Sequence, residues 1–155
     1  MRNELEKIHQ VEQMPVFKLF YELALSVQQA TRNAGPDFRW LRAQCLRSSE
    51  SVCANMTEGF YSQYSTEYLQ ALYRCRREAH ETRLHLQYAI DTRQISGGDG
   101  EKLLLGYEKA VAQLGGLIGS IERKISDHGK AKAKPYTVRE NSAEYEVESL
   151  SAMDP

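Results

Sequence analysis

Apolar residues recur along this chain at spacings of three and four, with three breaks that each end a helix. Val16, Phe20, Leu23 and Val27 share one helical face, which Phe17, Ala24 and Leu25 widen. Pro15 suits a first helical position, so a first helix is expected from there to about Arg32. Asn33-Ala34-Gly35-Pro36-Asp37 then breaks the pattern. A second helix is expected from near Phe38, with Leu41, Cys45, Ser48, Val52 and Asn55 or Met56 on a weakly apolar stripe. Phe38 and Trp40 at its start read as a lid on the bundle end, ahead of a base-stacking role.

A third helix, roughly Thr66 to Ile90, carries two stripes. Tyr68, Leu72, Cys75, Ala79, Leu86 and Ile90 form one; Leu69, Tyr73, Leu84 and Tyr88 form another. One intramolecular core does not need both, and Arg77 and His80 on the second face suggest a semi-polar protein interface. The alternative is scattered surface apolar residues. Ser96-Gly97-Gly98-Asp99-Gly100 reads as a linker. The fourth helix then follows Leu104, Tyr107, Val111, Leu114, Ile118, Ile121 and Ile125, close to a seven-residue repeat. Gly115, Gly116 and Gly119 interrupt it and suggest the close approach of another backbone.

Between the second and third helices lies Ser51-Val52-Cys53-Ala54-Asn55-Met56-Thr57-Glu58-Gly59-Phe60. Asn55 and Glu58 are expected to hydrogen-bond at a helix end, and Gly59 to end the helix in a left-handed conformation. Four helical patterns without strand alternation imply an all-α, antiparallel up-and-down four-helix bundle. The expected division is an N-terminal arm over residues 1–13, the bundle over 14–128 and a disordered acidic tail over 129–155.

Composition narrows the functional classes. The formal net charge of −1 hides a segregation, because five acids and no base follow Arg139, so the body is more basic than the whole. Cys45, Cys53 and Cys75 lack a CxxC spacing and fall in helical patterns, as free buried thiols in a reducing compartment would. The first residues are too polar for a signal peptide and no apolar run spans a membrane, so a cytoplasmic protein without membrane contact is expected. His80 and His85 are five apart, about 140° around a helix, which is wrong for a zinc pair. No nucleophile elbow or phosphate loop is present, and the chain lacks the two Glu-x-x-His motifs that a di-iron bundle needs. A non-enzymatic chain with no cofactor and no metal site is therefore expected.

The arginines point elsewhere. Arg32, Arg39, Arg42 and Arg47, then Arg74, Arg76, Arg77 and Arg83, then Arg123, Lys124, Lys130, Lys132 and Lys134 form three basic sets, and the candidate nucleic-acid contacts are Arg39, Arg42, Arg47, Arg74, Arg76, Arg77, Arg83, Arg123 and Lys124. Leu69, Tyr73, Leu84, Tyr88, Gly115 and Gly119 are the candidate assembly surface.

The segment from Ser51 to Phe60, with Asn55, Glu58 and Gly59, and Glu67-Tyr68-Leu69 and Glu81-Thr82 downstream, resembles the signature of the bacterial four-helix-bundle proteins encoded in ribosomal RNA intervening sequences. Met14 to Leu25 and Leu114-Gly115-Gly116-Leu117-Ile118 are more similar to the related accessory variability (Avd-like) proteins of diversity-generating retroelements. Cys53 stands where the intervening-sequence proteins usually have Pro, and Ser62-Gln63 where they commonly have basic residues. The resemblance implies a ring-like homopentamer and, for the retroelement branch, a basic surface that binds RNA and a reverse transcriptase during mutagenic retrohoming. The alternative is a ring-forming assembly module without specific nucleic-acid binding.

Overall fold

Pro15, at the first helical position expected of it, opens the first of four helices in the computed structural model, which describes residues 7–130 and, of residues 129 and 130, the backbone alone. The helices are α1 (Pro15–Ala30), α2 (Arg39–Phe60), α3 (Ser65–Asp91) and α4 (Gly97–Lys130), with short 3-10 turns at Val11–Gln13 and Pro36–Phe38. Each helix packs on its neighbours in sequence and α1 closes against α4, the packing pattern of a four-helix bundle. Gly129 and Lys130, expected in the disordered tail, still belong to α4, and the rest of that tail falls on residues outside those described.

Polar ties set the register between helices. Arg74 meets Asn55, Cys75 donates its S–H to the Val52 carbonyl at 3.2 Å, and Thr82 and Ser48 share a hydrogen bond of 2.8 Å. Partner numbers fall on α2 as they rise on α3, so these two helices run in opposite directions. Between α3 and α4 the same holds, with Tyr73 on Glu122 and Ile90 against Gly100.

The core is built largely from the expected stripes. Val16, Phe20, Leu23 and Val27 of α1, Leu41, Cys45, Val52 and Met56 of α2, Leu72, Cys75, Ala79 and Leu86 of α3, and Tyr107, Leu114, Ile118 and Ile121 of α4 are buried. Several details differ. Leu25, expected on the α1 core face, is 57% exposed, because the bundle covers only the narrower stripe. Val11 is fully buried and Met14 with it, so the core takes up part of the expected arm, and the Val11 N–H donates to the Tyr61 hydroxyl.

Gly59 lies inside α2, not beyond its end, and no described glycine has a positive φ. Its role is steric: a Cβ there would stand 2.4 Å from the Ala71 Cβ and 3.2 Å from the Tyr68 ring. The expected linker at Gly97–Gly100 is the first turn of α4, where the Ser96 hydroxyl accepts the Asp99 N–H at 3.2 Å. The true break is Thr92 to Ile95. Arg93 takes φ 61°, and its N–H and that of Gln94 donate to the Ile90 and Ala89 carbonyls, a Schellman closure with arginine where glycine is usual. The Gln94 side chain accepts the Gly35 N–H at 2.8 Å and so ties this break to the one after α1. No helix among the described residues is long and apolar enough to cross a membrane.

Candidate nucleic-acid interface

The bundle sorts the cations proposed from sequence into different environments. Arg47 on α2 lies between Glu78, at 3.4 Å, and Glu81 of α3, and Glu81 also meets His85. Partial burial alone would raise the Glu81 pKa, but hydrogen bonds from His85 and Arg47, and their charge, hold it below the usual carboxylate range. The Arg74 guanidinium donates through Nε to Asn55 Oδ1 at 3.0 Å, while Asn55 Nδ2 donates to the Ser51 carbonyl at 2.8 Å and hydroxyl at 3.0 Å. Arg47 and Arg74 are therefore ties between α2 and α3.

Asn55 fulfils the structural role expected of it. Glu58 does not: it is exposed and makes no hydrogen bond or ion pair among the described residues, since it sits on the outer side of α2.

Arg39 and Arg42 sit at the start of α2. Arg39 is exposed, whereas Arg42 is partly buried and its Nε meets no acceptor among the described residues. Trp40 beside them packs at a tilt against Tyr88 with ring centroids 5.8 Å apart, and both rings remain exposed. Trp40 thus covers the side of the bundle end and leaves Phe38 to pack on the core.

A third group converges along α3 and α4. Tyr73 donates its hydroxyl to Glu122, which pushes the phenol pKa upward, with partial burial adding to the shift. The Arg76 guanidinium lies over the Tyr73 ring, 5.3 Å from its centroid. In the antiparallel register set by Tyr73 and Glu122, Arg76 stands level with Gly119, and Arg83 about two turns further, level with Ala112. From α4, Arg123 folds back to the same level: its guanidinium donates to the Ser120 hydroxyl at 3.1 Å and reaches 3.5 Å from where a Gly119 Cβ would stand. Arg77 is exposed on the adjoining outer side of α3, and neither it nor Arg83 has an ion pair among the described residues. Lys124 lies five turns after Gly106, which meets Leu23, so it faces α1 and stands off this strip.

The candidate assembly residues divide similarly. Leu69 and Tyr73 are half-buried against the core, whereas Leu84 is 66% exposed and Tyr88 exposed. A Cβ on Gly115 would meet nothing within 4 Å, so no backbone among the described residues approaches it. On another side of the bundle, Phe17, Tyr21, Ala24, Leu25, Leu46 and Ala54 line a mostly apolar groove of about 690 Å³ between α1 and α2. Sequence reading missed this groove; the alternation of exposed Tyr21 and Leu25 four apart on α1 was its only trace.

The thiols are buried and far from reactive. Burial raises Cys45 to about 11 and Cys53 to about 12, and drives Cys75 upward as well. Among the described residues no group of His, Cys, Asp and Glu is placed to hold a metal ion. An open cleft at the α1–α4 end has Asn33, Gln94, Asp99 and Lys102 on its walls, but Gln94 is held by Gly35 and Thr92.

The family model described as 23S rRNA-intervening sequence protein matches residues 12–116, from the 3-10 turn before α1 into the glycine cluster of α4. No curated protein matches the chain.

Proposed function

The chain belongs to the 23S rRNA-intervening sequence protein family, and from that membership we propose a non-enzymatic accessory protein that binds RNA through the cationic strip of α3 and α4. The observation that supports this reading most is the row of Arg76, Arg77 and Arg83 along α3, with Arg123 of α4 lying over Gly119 beside it. Guanidinium groups fork onto phosphate oxygens, and the open space over Gly115, where a Cβ would meet nothing within 4 Å, lets a sugar-phosphate backbone come close. Arg47 and Arg74 hold the scaffold, and Arg39 and Arg42 form a smaller, separate patch beside the Trp40–Tyr88 pair. In the retroelement setting the same strip would hold template RNA beside a reverse transcriptase.

Reversing charge at R76E, R77E and R83E tests this. Removing each phosphate partner should cost about 1 kcal/mol at moderate salt, so RNA affinity is expected to fall on the order of a hundredfold. The R39E variant is expected to bind within a few fold of wild type. Equal weakening in both variants would remove the strip from the proposal.

A second reading, ring assembly without RNA, draws on the two apolar surfaces. The α1–α2 groove and the Leu84–Tyr88 side differ, so copies joined through them would pack head to tail, the arrangement that closes rings. A homopentamer is the ring that the family resemblance implies. Under this reading L84E and Y88E yield monomers by light scattering, and the protein purifies without nucleic acid.

A further inference from the structure

The described bundle ends at Lys130, level with the start of α3, and residues 131–155 continue from there. Charge divides sharply along the chain. Of 20 basic and 21 acidic residues, five acids and no base follow Arg139, so residues 1–139 carry +4 and the remainder −5. We infer that the acidic segment around Glu140, Glu144, Glu146 and Glu148 docks on the α3–α4 cationic strip of the same chain and competes there with RNA.

Distance permits it. Returning along α4 from Lys130 to the level of Gly119 covers about 17 Å, and to the level of Ala112, opposite Arg83, about 27 Å at the helical rise. The nine residues from 131 to 139 span up to about 30 Å when extended. The first carboxylate, Glu140, therefore reaches the Gly119 level, where Arg76 and Arg123 stand, with slack, and the Arg83 level only with the connector close to full extension.

Pattern fits as well. Glu144, Glu146 and Glu148 alternate with Tyr145 and Val147, so in extended chain the carboxylates share one edge and the apolar groups the other. The strip offers the counterpart: Arg76, Arg77 and Arg83 are cationic, and the exposed Leu84 lies beside Arg83. The α1–α2 groove is the poorer seat, since no cation is among its lining residues and Glu50 is on its wall, whereas the strip's own acid, Glu122, is engaged by the Tyr73 hydroxyl. Tethering gives the segment an effective concentration on the order of millimolar. A segment with an intrinsic dissociation constant of about 0.1 mM would then weaken RNA binding roughly tenfold.

Docking rests on charge and reach alone, whereas the competition rests on RNA being the other occupant of the strip. Both are tested with the full chain carrying E140Q, E144Q, E146Q and E148Q. A fluorescently labelled peptide of residues 140–155 is expected to bind this variant, to weaken as salt rises, and to lose binding when R76E, R77E and R83E are added. The same Gln variant is expected to bind a labelled single-stranded RNA about tenfold more tightly than wild type. A peptide that does not bind, or that binds regardless of the three arginines, overturns the docking even if RNA binds normally. Equal RNA affinity in wild type and the Gln variant overturns the competition. If neither chain binds RNA while the peptide binds through the arginines, docking stands and the RNA reading fails.

Discussion

At Gly59 the space for a side chain is already taken. A methyl group there would fall 2.4 Å from the Ala71 Cβ, so G59A is expected to lower stability by about 1–3 kcal/mol in urea titrations. In the G59A background A71G should cost less than it does in wild type, and a cycle without that coupling would place the clash elsewhere. Asn55 is the second sensitive residue, because N55A leaves the partly buried Arg74 guanidinium without its acceptor. A cost of about 1–3 kcal/mol is expected, with N55D milder because it keeps an oxygen at that position. Tyr107 inverts the usual rule: its hydroxyl is buried among apolar groups and meets no partner among the described residues. Y107F is therefore expected to be neutral or stabilising by up to about 1 kcal/mol, and a clear drop in Tm would show that the hydroxyl is bonded. The importance of Asn55 and Gly59 was legible in sequence, as polar and small residues where an apolar stripe should continue. Their partners were not, since Arg74 and Ala71 come opposite only once the register of α2 and α3 is set.

Among the elements, helix identity followed from spacing, while the ends depended on capping chemistry. Three glycines near the start of α4 outweighed the Ser96-x-x-Asp99 signature that in fact opens it, although that pairing was available as a start signal. The other side of that break carries its cost at Arg93, held at φ 61° by the Schellman closure. R93G is expected to stabilise by about 1 kcal/mol, read as a rise in Tm, because glycine occupies this conformation without a Cβ penalty. The α2–α3 interface also makes a statement about pH. Glu81 titrates below its ordinary 4.5 in the folded chain, so the folded state binds fewer protons than the unfolded one as pH falls toward that region. Its stabilisation is complete above about pH 5 and is lost as pH drops through the folded-state pKa. E81Q should therefore flatten the acid side of a Tm-against-pH curve, and an unchanged acid slope would mean that Arg47 and His85 do not act through Glu81.

For the whole molecule, an all-α bundle was readable because four amphipathic stripes need one another for burial. The functional face was readable only as an inventory of cations. Spacing along the helices could not reveal that Arg47 and Arg74 reach across the α2–α3 seam to Glu78, Glu81 and Asn55, whereas Arg76 lies over Tyr73 and Arg77 and Arg83 have no ion pair among the described residues. That separation between helix ties and an outward strip is what gives the α3–α4 face its proposed role. The most direct test is the salt dependence of RNA affinity, measured by anisotropy for the full chain and for R76Q, R77Q and R83Q combined. Each phosphate neutralised on single-stranded RNA adds about 0.7 to the slope of log K against log salt, so the variant should show a slope shallower by about 2. An identical slope in the two proteins would contradict binding through this strip.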